Sequence, residues 1–177
     1  ILNKNIDRIK KITHPFFSFF LWITVLSNNK KIRGLVYSAM HKKIPEGLYC
    51  ITSGGNQFII SLGDNVIGRE IFVNGNFDMN KLVTAMRLIS AEKGLSNTPK
   101  IIIDVGANIG TIGIPAVSTG MFEKAICIEP VPLNFSILRA NVILNNLEDK
   151  IDLRNIALSD KPEGMLKMTL SKDNYGD

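Results

Sequence analysis

The segment Ile101-Ile102-Ile103-Asp104-Val105-Gly106-Ala107-Asn108-Ile109-Gly110 constrains this chain more than any other. A continuous β-branched run of this length predicts a strand buried on both faces of a parallel sheet. A glycine-bounded turn follows at once, and Thr111 to about Thr119 predicts a helix. Pro115 is tolerable there only near the helix start. The pattern then repeats. Ala125–Ile128 predicts a second strand ending at Glu129-Pro130, Leu133–Asn145 a helix, and Ile151–Asn155 a third strand. Strand, helix, strand, helix, strand is a parallel α/β unit with right-handed crossovers.

Ligands of such sheets bind beyond the carboxyl ends of the strands. Three features fall there: the turn from Asp104 to Gly110, Glu129 25 residues after Asp104, and Asn155 with Ala157. Gly106 and Gly110 lack a Cβ, so backbone can approach a ligand closely. An acid at the second strand end can accept both hydroxyls of a ribose. The turn is neither G-x-G-x-x-G nor a P-loop, having one glycine at 106 and the next at 110 and no lysine. A nucleoside with a short side chain suits it better than a pyrophosphate, which disfavours a nicotinamide-dependent oxidoreductase.

Upstream, Gln57–Leu62 predicts a strand closed by a turn at Gly63-Asp64-Asn65, Val66–Val73 is ambiguous, and Gly75-Asn76 is a turn. Asp78 reads as an N-cap for a helix reaching Glu92 or Lys93, with Gly94 as its stop. Downstream, Met165–Leu170 alternates like an edge strand. The expected organisation is a basic, partly apolar helical leader over 1–45, a lead-in over 46–98, and the cofactor-binding half of a catalytic domain over 99–177, the chain being read as partial at its C-terminal end.

Charge is unevenly placed. Residues 1–50 carry nine Lys/Arg against Asp7 and Glu46, whereas the remainder carries 12 basic and 14 acidic residues. A basic segment attracts nucleic acid or an anionic membrane, or is simply a solvated leader. Residues 14–26 are apolar and aromatic between lysine pairs, too short for a spanning helix. They read either as a helix packed on the next domain or as peripheral membrane contact through residues 14–31. Two cysteines, Cys50 and Cys127, exclude a disulfide framework, and no Cys/His spacing suggests a metal. Cys127 reads as core, and His14 and His41 as structural or solvated.

Asp104-Val-Gly106-Ala-Asn108-Ile-Gly110, Glu129-Pro130 with Asn134-Phe135, Asn141 with Asn145, and Ala157-Leu158-Ser159-Asp160 together resemble the FkbM-type S-adenosylmethionine-dependent methyltransferases. The resemblance covers roughly residues 66–177. It implies a class-I methyltransferase fold, a Rossmann-like doubly wound α/β sheet, here incomplete. It implies S-adenosyl-L-methionine as cofactor and a hydroxyl of a sugar or secondary metabolite as acceptor, not nucleic acid, in a cytoplasmic enzyme, with contact at the membrane surface left open. Carried over by position, Asp104, Gly106, Asn108 and Gly110 surround the methionine part. Glu129 holds the ribose diol, and Asn155 and Ala157 border the adenine. No catalytic residue or metal site is assigned. A non-catalytic interaction module is the alternative outside enzymology.

Overall fold

The computed structural model describes residues 29–93 and 101–160. Helix α1 (Lys30–Lys43) starts at Asn29, whose side chain accepts from the amides of Lys31 and Ile32. Strands β1 (Leu48–Ser53) and β2 (Asn56–Ser61) form an antiparallel hairpin around Gly54-Gly55. Helices α2 (Ile67–Asn74) and α3 (Met79–Lys93) follow. Then come β3 (Ile101–Val105), α4 (Gly113–Ser118), β4 (Lys124–Ile128), α5 (Pro132–Leu144) and β5 (Ile151–Arg154).

The chain is thus an α/β protein with a Rossmann-like parallel sheet in the order β3-β4-β5. Ile102 sits opposite Ala125, Asp104 opposite Cys127, and Cys127 opposite Leu153. In-register neighbours of parallel strands share a face, so these residues line one side, where α4 packs. Their alternates Ile101, Ile103 and Val105 stand on the other side and are more than half exposed. This corrects the expectation of a strand buried on both faces. The β-branched run does form a parallel strand, but among the described residues only one face is covered.

The ambiguous stretch at 66–73 is helical because of Asp64. Its Oδ1 accepts from the amides of Val66 and Ile67, both at 2.9 Å, satisfying two of the donors that a helix start leaves open. Gly75 closes α2 in the left-handed region at φ 81°. Asp78 stands at the expected N-cap position of a helix that reaches Lys93, its carbonyl accepting from the amides of Lys81 and Leu82, but its side chain makes no capping bond. It lies at φ 60°, and its half-buried carboxylate pairs with Lys81 at 2.8 Å instead. Helix α4 begins two residues later than expected, because the chain from 108 to 112 is taken up by successive turns. Pro115 then falls in its first turn, where a missing N–H is harmless. The expected features at 14–26, Gly94 and 165–170 lie outside the described residues.

One hydrophobic cluster runs from Tyr37 through Phe58, Ile60, Ile71 and Phe72 to Ile114, Cys127, Leu138 and Ile151. Lead-in and parallel sheet therefore share a core. Two asparagines join them more specifically. On α5, Asn141 Oδ1 accepts from the Ile59 amide at 2.6 Å, and its Nδ2 donates to the Ile59 carbonyl at 3.2 Å. One turn on, Asn145 treats Gln57 the same way, at 2.9 and 2.7 Å. Residues i and i+4 of a helix lie on one face, whereas i and i+2 of a strand point their backbone groups to one edge. The two side-chain amides thus pair with the free edge of β2 as a neighbouring strand would.

Candidate functional site

The turn at 106–110 is fixed to the tip of β4 from below. The amides of Gly106 and Ala107 both donate to the Ile128 carbonyl, at 2.9 and 3.0 Å. Gly106 has φ 77°, and among the described residues a Cβ built there would meet nothing within 4 Å. Asn108 takes the left-handed region at φ 49°, which asparagine tolerates. Its Oδ1 is buried with no hydrogen-bond partner among the described residues, whereas buried polar atoms normally have one.

Gly110 differs. A Cβ there would lie 2.6 Å from Ile114 Cδ1 and 2.8 Å from Leu138 Cδ1. Its small size serves the packing of α4 against α5, and no open space adjoins it. The Ile109 carbonyl between them accepts from Asn141 Nδ2 at 2.9 Å. The fully buried Asn141 therefore holds the turn and the hairpin with one amide group.

Glu129 follows β4 and is 3% exposed. Its carboxylate points at the turn: Oε2 accepts from the Asn108 amide at 2.9 Å. Oε1 accepts from the Val131 amide at 2.9 Å, which also supports the start of α5. A carboxylate oxygen has two lone pairs, so each retains one. Asn155, just after β5, donates through Nδ2 to the carbonyls of Glu129 at 2.8 Å and Pro130 at 3.2 Å, bracing the loop that carries the acid. Ala157 is exposed farther along the same segment.

Asp104 faces the covered side of the sheet. Its Oδ2 accepts from the Gly113 amide at 3.0 Å, where α4 begins. Burial pushes its carboxyl above the ordinary aspartate value. The Gly113 hydrogen bond pulls it back, and the charge of Glu129 adds a further upward push. Beside it, Cys127 is fully buried, and burial with the nearby Asp104 charge pushes its thiol up to about 12. A thiol so held is not a nucleophile near neutral pH.

Asp104, Gly106, Asn108 and Glu129 are thus brought together at the tips of β3 and β4. Asn155 joins through the backbone of 129–130, and Gly110 and Ala157 stand at the margins. Asn141 carries a role the family resemblance does not assign to it, and its only mark in the sequence is a second asparagine four residues on along an apolar helix. A cavity of about 640 Å3 lies at the opposite end of the sheet, lined by Ile101, Lys124 and Lys150 among others, and holds none of the candidate residues. His41 is structural: Nδ1 lies 2.6 Å from the Leu62 carbonyl, which only accepts, so Nδ1 carries the proton and Nε2 accepts from Asn65 Nδ2 at 3.1 Å.

No family model and no curated protein sequence matches the chain. Among solved structures, it is similar to the human methyltransferase 10 domain containing protein, at 19% identity over 74% of this chain and 53% of that one, TM-score 0.48. It is similar to the M. jannaschii tRNA m1G37 methyltransferase, at 19% identity over 73% of this chain and 43% of that one, TM-score 0.43. A third is the Pyrococcus abyssi tRNA (uracil-54, C5)-methyltransferase in complex with S-adenosyl-L-homocysteine, at 17% identity over 64% and 24%, TM-score 0.39. The chain spans about half the length or less of each of these proteins. The likeness is one of fold.

Proposed function

We propose that residues 99–177 are the cofactor-binding half of a class-I methyltransferase of FkbM type, using S-adenosyl-L-methionine to methylate a hydroxyl of a sugar or other small metabolite. The observation that carries this reading is the Glu129 carboxylate, aimed at the Asn108 amide across the tips of β3 and β4. The residues present fit such a ligand on three counts. Each Glu129 oxygen keeps a lone pair for a ribose hydroxyl, and among the described residues Asn108 Oδ1 has no donor and Gly106 has nothing within reach of a Cβ. Asp104, Gly106, Asn108 and Gly110 would cradle the methionine part, Glu129 the ribose, and Asn155 with Ala157 the adenine.

The bound sulfonium would bring both the methyl group and its leaving group, so the protein's task is orientation. The hydrogen bonds of Glu129 to Asn108 and Val131 preset the spacing between turn and acid. Gly106, Ala107 and Ile128 keep the turn from drifting off the sheet. An alcohol acceptor must lose a proton. His41, engaged on both ring nitrogens in the lead-in, is not assigned as the base.

Isothermal titration of the full chain with S-adenosylmethionine, S-adenosylhomocysteine and NAD tests the reading. The first two are expected to bind and NAD not to. Glu129→Gln should weaken them about tenfold, the worth of one charge-assisted hydrogen bond. Binding of NAD alone would support the oxidoreductase alternative, and binding of none a non-catalytic module. Transfer of labelled methyl to tRNA instead of to a hydroxyl-bearing metabolite would overturn the acceptor class.

A further inference from the structure

Helix α1 turns two unlike faces outward and inward. Inward, Gly34, Tyr37 and Met40 are buried, and the Tyr37 hydroxyl donates to the Asp64 carbonyl at 2.6 Å, fixing the helix's rotation on the core. Outward, Leu35 is 73% exposed and Ile32 41%. Ala39 lies in the same row, since spacings of three, four and seven residues fall on one helical face. Lys31, Lys42 and Lys43 surround this apolar centre. The helix, KKIRGLVYSAMHKK, contains no acidic residue.

We propose that this face of α1 docks on an anionic lipid bilayer, with Ile32, Leu35 and Ala39 entering the headgroup boundary and Lys31, Lys42 and Lys43 on the lipid phosphates. The arrangement of the two chemistries favours lipid. Interfacial helices bury an apolar strip between basic flanks. Nucleic acid draws its affinity from phosphate contacts and from aromatic side chains on which bases stack, and here the centre of the basic surface is aliphatic. The charge is local as well: residues 1–50 hold nine of the 21 basic residues but only two of the 16 acidic ones. Docking through α1 would hold the enzyme at the membrane independently of what its cofactor site binds.

The test is flotation of the full chain with phosphatidylcholine vesicles, with and without phosphatidylserine, at low and high salt. Binding is expected only with phosphatidylserine, and it should weaken as salt rises. Leu35→Glu should reduce partitioning about tenfold, as the loss of one buried leucine implies. Lys42→Glu with Lys43→Glu should reduce it about thirtyfold or more, at roughly fivefold per cation near the surface. All three positions are exposed, so circular dichroism should show unchanged folding. The proposal is overturned if neither variant alters flotation, if neutral vesicles bind equally, or if no vesicle binds. It is also overturned if a gel-shift assay shows both variants losing binding to RNA while vesicle binding is unmoved.

Discussion

Replacing Asn141 with alanine should loosen the turn and the hairpin together, by an amount that the structure sets. The side chain is fully buried and makes three hydrogen bonds, to the Ile59 amide, the Ile59 carbonyl and the Ile109 carbonyl. Alanine strands all three partners. A buried polar group left without a partner costs about 1–3 kcal/mol. Ile59 is only partly buried, so water can recover much of its share, while the Ile109 carbonyl is enclosed. The expected loss is therefore about 2–4 kcal/mol, or a fall in Tm of about 6–12 °C for a chain of this size. Asn145→Ala provides the internal standard. It also removes three hydrogen bonds, but Gln57 is exposed, so water substitutes and the cost should stay near 1 kcal/mol. Asn141→Asp should be worse than alanine, because it sets a carboxylate against two carbonyl oxygens that need donors. Urea unfolding followed by circular dichroism measures all three. If Asn141→Ala costs no more than Asn145→Ala, the bridging role is wrong.

Cys127 should resist thiol reagents in the native state while the exposed Cys50 reacts; a native titration yielding two fast thiols would contradict the buried placement. The raised Asp104 pKa has a definite sign: its contribution to stability is full below the ordinary aspartate value of about 3.9 and is lost as pH rises through the higher folded value. Asp104→Asn should therefore gain stability relative to the parent between mildly acidic and neutral pH, and a pH-independent difference would remove the argument. Gly106→Ala should cost only the left-handed backbone strain of about 1–2 kcal/mol. Gly110→Ala should cost clearly more, because its methyl collides with Ile114 and Leu138; equal losses on urea unfolding would refute the distinction.

The parallel unit was legible because its signals are local and redundant. The run at 101–105, the glycines at 106 and 110, and the Glu129-Pro130 strand end each point to the same topology. Burial was less legible. Ile101, Ile103 and Val105 are as apolar as Ile102, and no local pattern says which face another element covers. The helix at 67–74 was ambiguous because its cap, Asp64, reads equally well as a turn residue in Gly63-Asp64-Asn65. Asp78 holds the N-cap position without a side-chain capping bond for a related reason. A short carboxylate suits both extended caps and left-handed turns, and at φ 60° Asp78 takes the second. Gly106 and Gly110 are indistinguishable in sequence, yet among the described residues a Cβ would meet nothing within 4 Å at the first and two side chains at the second, a difference made by residues 114 and 138.

The uncovered side of β3 has a practical corollary. Among the described residues β3 ends the sheet, so its outer ladder of amides and carbonyls stands beside a row of three solvated β-branched side chains. Such a border accepts a neighbouring strand. A further strand of this sheet would therefore add beside β3, where Ile101, Ile103 and Val105 offer it an apolar border.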